Sequence, residues 1–146
     1  MDNRLVCLEG TLTFDEEIRY QTVNVISFRT GQQITVNRDR LPPERTFAEH
    51  ISRQIDNAEK VFYQFNLVQM EEVNEGNVFD NTIQVVYSFL SGSGTGQRVW
   101  QVTFSCLHSK NELINFTSLY PDEQSMKNEI GRLQHCVSSF ILNKGL

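Results

Sequence analysis

The chain has 146 residues, enough for one domain spanning residues 1–146 that buries a full core without staples. Hydrophobic residues make up 39% and charged residues 21%, the balance of a folded chain and not of a disordered one. A formal net charge of -5, with the basic residues scattered, excludes the concentrated positive surface that a grip on nucleic acid or anionic lipid requires.

Arg4 to Leu8 and Thr11 to Phe14 read as short strands joined through Glu9-Gly10. After the acidic turn Asp15-Glu16-Glu17, Gln21 to Phe28 is rich in Val, Ile and Thr, and Thr30-Gly31 turns it back into Ile34 to Arg38 as a hairpin. Leu41-Pro42-Pro43 then ends strand structure, because proline has no amide to give a ladder.

Thr46-Phe47-Ala48-Glu49 is a capping box, in which hydroxyl and carboxylate satisfy each other's orphan amides. Phe47, Ile51, Ile55, Ala58 and Phe62 follow at helical spacing, so a first helix turns one apolar face to a core. Phe65 to Val73 is the next strand. Thr82 to Ser91 and Arg98 to His108 form the strongest hairpin, connected through the glycine-rich Gly92 to Gly96. Glu112 to Leu119 follows the polar turn Ser109-Lys110-Asn111. Pro121, with Asp122 and Glu123 beside it, opens a second helix whose stripe is Met126, Ile130, Leu133, Val137 and Phe140. Its end is expected near Asn143-Lys144-Gly145. Consecutive hairpins and two amphipathic helices predict an α+β fold: an antiparallel sheet with both helices packed on one face.

Each strand carries two rows of side chains. In Arg98 to His108 the row Trp100, Val102, Phe104 and Cys106 is core, opposed by Val99, Gln101, Thr103 and Ser105. Val23, Val25 and Ser27 form the second row of Gln21 to Phe28, and Gln84, Val86, Ser88 and Leu90 that of Thr82 to Ser91. Together they would make an uncharged face of aliphatic, hydroxyl and amide groups, unlike the charged wet face of an ordinary antiparallel sheet. On the residues alone, such a face serves a partner groove, a dimer interface or packing under loops equally well.

No catalytic set emerges. His50, His108 and His135 have neither metal-ligand spacing nor a carboxylate constellation, and Cys7, Cys106 and Cys136 form no CxxC pair, so neither a metal site nor a disulfide framework is expected. Gly92 to Gly96 lacks the Gly-Lys-Ser/Thr ending of a phosphate loop. Asn115-Phe116-Thr117 is a chance sequon in a strand. The expectation is a protein that is not an enzyme and takes no cofactor. Met1-Asp2-Asn3-Arg4 does not open a signal peptide, and no stretch is apolar for long enough to span a bilayer, so the cytoplasm is the expected location.

Several strings resemble the DcrB-like family, and within it the Eag-type chaperones of type VI secretion. They are Glu9-Gly10-Thr11-Leu12, Thr22 to Phe28, Ile34 to Leu41, Thr46 to Ile55 with Arg53-Gln54, and Gln97 to Phe104. After Leu12, where such sequences often carry Pro and Trp, this chain has Phe14 to Tyr20. The resemblance implies a curved, PsbP-like α/β sandwich and a homodimer. It also implies a chaperone that shields the hydrophobic N-terminal transmembrane segments of a toxin effector and aids its loading on the secretion spike, with no membrane insertion of its own. By position, Val23 and Val25 would line the groove, while Gln54 and Gln101 would hydrogen-bond the bound helices; Val86, Val99 and Thr103, taken from the second rows of the strands, complete the expected partner-binding set.

Overall fold

The computed structural model describes residues 3–92 and 96–143. The centre of the Gly92 to Gly96 turn and the expected cap at Lys144-Gly145 lie outside these residues. Strands β1 (Arg4–Val6) and β2 (Thr11–Thr13) form a separate hairpin. β3 (Asn24–Ser27), β4 (Gln33–Arg40), β5 (Tyr63–Glu72), β6 (Asn81–Leu90), β7 (Arg98–Ser109) and β8 (Glu112–Tyr120) make one antiparallel sheet in the order β3-β4-β8-β7-β6-β5. Helix α1 (Phe47–Val61) lies between β4 and β5, and α2 (Glu123–Ser138) follows β8. The α+β class and the antiparallel meander read from the sequence are those observed.

Local chemistry fixes the ends. The Thr46 hydroxyl accepts from the Glu49 amide at the start of α1, and the Asp122 carboxylate accepts from the Ser125 amide at the start of α2. Those amide bonds hold the Asp122 carboxyl below its ordinary range. Lys110 and Asn111 turn β7 into β8 with Asn111 in the left-handed region, which asparagine tolerates. α2 stops at Ser138, before its expected end, yet Phe140 still packs, its ring 5.1 Å from that of Phe79.

The helices cover opposite faces of the sheet, which corrects the expectation that both pack on one. Phe47, Ile51 and Ile55 of α1 close over Ile83, Val85, Tyr87, Phe89 and Leu113. Met126, Leu133 and Val137 of α2 close over Val86, Val102, Phe104, Ile114 and Phe116. The reason is topological. β4 and β5 stand at opposite sides of the sheet, so the chain must cross three strands between them, and α1 carries it over one face. The other face is left for α2, which leaves β8 at the sheet's centre.

Val86 is thereby also corrected. It pairs with Val102, lies 2% exposed under α2 and belongs to the core on the far side of the sheet from Gln101 and Thr103. Ser88, wholly buried, shares its parity along β6, as does Gln84.

Cys106 is fully buried, and burial pushes its thiol up to about 12, whereas Cys7 is exposed on the hairpin. Thiolate is the reactive form. At pH 8 a disulfide reagent should therefore modify Cys7 promptly and Cys106 only after denaturant is added. Equal rates for the two in native protein would contradict this burial.

Candidate functional site: an uncharged trough beside helix α1

The face that carries α1 is only partly covered by it. In-register pairing aligns Val25, Thr35, Thr117, Thr103 and Val85 in one row across β3, β4, β8, β7 and β6. A second row aligns Asn37, Asn115, Ser105 and Ile83, and a third aligns Leu119, Gln101 and Tyr87. The aliphatic and aromatic ends on β6 lie under Ile51 and Ile55, Ser105 and Asn115 are buried, and Gln101, Thr103, Thr117, Thr35 and Asn37 on β7, β8 and β4 are left partly open.

The opening is a cleft of about 430 Å³, floored by Gln101, Thr103, Thr117 and Asn37 and walled by Ile51, Gln54, Ile55 and Tyr87. It continues into a neighbouring recess of about 400 Å³ that shares Asn37, Gln101 and Thr117 and ends at Leu119, itself 57% exposed. The floor carries no charge. Arg38 and Asp39 close one end.

Within the floor, polar groups are only partly paired. The Thr103 and Thr117 hydroxyls lie 3.0 Å apart, and the Asn115 amide donates to Asn37 Oδ1 at 3.0 Å. Asn115 Oδ1 has no partner among the described residues although it is buried. The Gln101 side chain makes no hydrogen bond among them either. Gln54 is different: its Nε2 donates to Asp39 Oδ2 at 3.2 Å, and Asp39 also meets His50 Nε2 at 2.9 Å. Gln54 thus stands at the rim with its amide engaged by its own chain.

The other sequence-predicted residues distribute as follows. Gln101 and Thr103 are in the trough floor. Val25 is 58% exposed on β3 at the outer end of the threonine row, and Val23, one residue before β3, is 49% exposed. Val99 sits on the same face but is half-buried against the α1 core. Val86 alone is on the other face. Thr35, Asn37, Asn115 and Thr117 were missed. Their signal was present as polar residues alternating with Ile34, Val36, Ile114 and Phe116, but only the register shows that they line up.

Nothing in this set is arranged as a metal cage: among the described residues no three His, Cys, Asp or Glu side chains converge. The trough suits recognition by contact: a mixed wall of Ile51, Gln54, Ile55 and Tyr87 stands beside a floor of hydrogen-bonding groups with capacity to spare.

Comparison with known proteins bears on the lineage of this architecture. The family model described as DcrB matches residues 9–139. The chain belongs to the DcrB family. Among solved structures, this DcrB-family chain is similar to PA94 of Pseudomonas aeruginosa, described as a protein of unknown function and a candidate regulator. The TM-score is 0.71 at 13% identity, with 97% of each chain covered, so the two share a fold from end to end. It is also similar to the PsbP of the cyanobacterium Synechocystis sp. PCC 6803, CyanoP, at 16% identity and a TM-score of 0.49, covering 79% of this chain and 70% of that one. No curated protein matches the DcrB-family chain. None of its described helices is long and apolar enough to cross a membrane.

Proposed function

We propose that this DcrB-family chain is a non-catalytic cytoplasmic chaperone or adaptor that holds hydrophobic transmembrane segments of a type VI secretion toxin until the toxin is loaded on the secretion spike. The observation that carries the reading is the trough beside α1, where the uncharged Gln101, Thr103 and Thr117 lie partly exposed beside Ile51, Gln54, Ile55 and Tyr87. A transmembrane helix satisfies its own backbone polar groups, so a host must supply apolar contact and a few partners for small polar side chains. Each large apolar side chain left in water costs about 1.5–3 kcal/mol, which makes an uncovered segment of this kind prone to aggregate. A charge beneath the guest would be stranded; Gln101, Thr103, Thr117 and Asn37 carry none, and Arg38 and Asp39 stand at one end of the cleft.

A second reading is a non-secretory binding module of the same fold that recognises a soluble protein. The partly unpaired amides of the floor favour it, since they fit a polar partner as well as an apolar one. Co-expression with a toxin's N-terminal apolar segment, followed by purification without detergent, separates the two. The chaperone reading expects a soluble complex of fixed composition. Recovery of the chain alone, with the segment in the pellet, would reject it and leave the second.

A further inference from the structure

We propose that the cleft between α2 and the β5–β6 loop binds an ammonium group carried on an aliphatic chain. This cleft lies on the α2 face of the sheet, away from the trough, so the inference does not depend on the trough's guest. It measures about 450 Å³, a size suited to a small ligand. Val73, Phe104 and Val137 supply its apolar base, and Gln84 stands beside Phe104 in the same cross-strand row. The Gln84 side chain, half-buried there, makes no hydrogen bond among the described residues.

Both walls are held open by local structure. Gly76, with a positive φ of 76° that glycine adopts freely, turns the loop that forms one of them. Asn77 Nδ2 donates to Val73 O at 3.0 Å, its Oδ1 accepts from the Phe79 amide at 3.1 Å, and Asn74 Oδ1 accepts from the Thr82 amide at 3.0 Å. The other wall is α2, where Gly131 interrupts the helix interior. Glycine costs a helix about 1 kcal/mol against alanine. A Cβ at Gly131 would meet nothing within 4 Å, so no packing contact calls for glycine there. What the bare backbone provides is room in the cleft, which Gly131 lines together with Phe104 and Gln84.

Charge selects the ligand. The ionisable groups lining the cleft are Glu75 and His135. Glu71 flanks Gln84 in the same row, where its carboxylate accepts from the Gln69 amide, and Glu72 follows at the end of β5. Glu71, Glu72 and Glu75 form no ion pair among the described residues. Lys127 and Arg132 of α2 are engaged elsewhere: Lys127 pairs with Glu123 at 3.0 Å, and Arg132 donates to Thr30 and Gln32 at 2.8 Å each. An apolar base below unneutralised carboxylates complements an aliphatic stem that ends in a cation. In its neutral form His135 adds an acceptor for the same group. A free alkylamine and a lysine side chain share this chemistry.

Proton–nitrogen correlation spectra of the full chain, titrated with hexylamine at pH 7, test this. The amides of Gly76 and Gly131 should shift saturably, half-complete at about a millimolar, and hexanoate or hexanol should move them at least about tenfold less. Glu75→Gln should weaken the hexylamine response about tenfold, and Gly131→Leu should abolish it by filling the cleft, both with an unchanged circular dichroism spectrum. Cadaverine and Nα-acetyl-lysine amide then separate the sources, the tighter binder marking the free amine or the side chain as the ligand. The absence of a saturable shift, an equal response to hexanoate or hexanol, or undiminished binding by either variant would overturn the proposal. Shifts confined to the trough amides of Gln101 and Thr103 would overturn it too. Failure of the toxin-segment assay with a normal amine titration bears on the trough alone.

Discussion

Val86→Asp is expected to destabilise the fold severely. Val86 is 2% exposed, paired with the wholly buried Val102 and enclosed by the α2 core, where Phe104, Leu133 and Val137 offer a carboxylate no partner. A buried unpaired charge forces the group either to protonate or to drag water into the core, and the combined loss of packing and of solvation is about 4 kcal/mol or more. Against a total stability of roughly 5–15 kcal/mol for a domain, that is from about a quarter to about four fifths of the margin. Denaturant unfolding followed by circular dichroism measures it. A variant that stays soluble, with a midpoint near that of the wild type, would mean that Val86 is not under α2.

That residue also shows where the sequence stopped being legible. The alternation of β6 separates Ile83, Val85, Tyr87 and Phe89 from Gln84, Val86 and Ser88 correctly, but it does not say which row faces which side of the sheet. β6 is covered on both faces, so its rows lack the apolar–polar contrast that would orient them. Pairing Val86 with Gln101 joins rows that the register puts on opposite sides, since Gln101 stands opposite Tyr87 and Val86 opposite Val102. The helix stripes have the same silence. Phe47-Ile51-Ile55 and Met126-Leu133-Val137 each announce a buried face, and neither announces which side of the sheet receives it. That choice follows from strand order, because β5 lies across the sheet from β4.

What the sequence did carry was local. The Thr46 cap, the β7–β8 turn and the Trp100-to-Cys106 row depend on neighbours within a few residues, and all are observed. The trough floor stood midway. Gln101 and Thr103 were visible as uncharged residues opposite a core row. Thr35 and Thr117, equally exposed to the trough, gain their meaning only from pairing between strands more than 60 residues apart in sequence.

Val25→Asp should behave in the opposite way to Val86→Asp, keeping the fold and losing the proposed guest. Val25 is 58% exposed on an edge strand and belongs to neither core, so the change costs at most about 1 kcal/mol through strand propensity. The row that begins at Val25 runs through Thr35 and Thr117 to Thr103, which puts the new carboxylate one strand beyond Thr35, at the outer end of the trough's central row. An apolar helix seated there would have to strip water from that charge without replacing it. A penalty of about 4 kcal/mol corresponds to roughly a thousandfold weaker binding, which abolishes co-purification. Val25→Ile keeps the apolar contact and should retain the guest, which separates the effect of charge from that of merely altering the edge. An intact complex with Val25→Asp, at wild-type melting temperature, would remove β3 from the binding surface. A chain that melts far below the wild type would instead show that β3 matters to the fold in a way its exposure does not suggest.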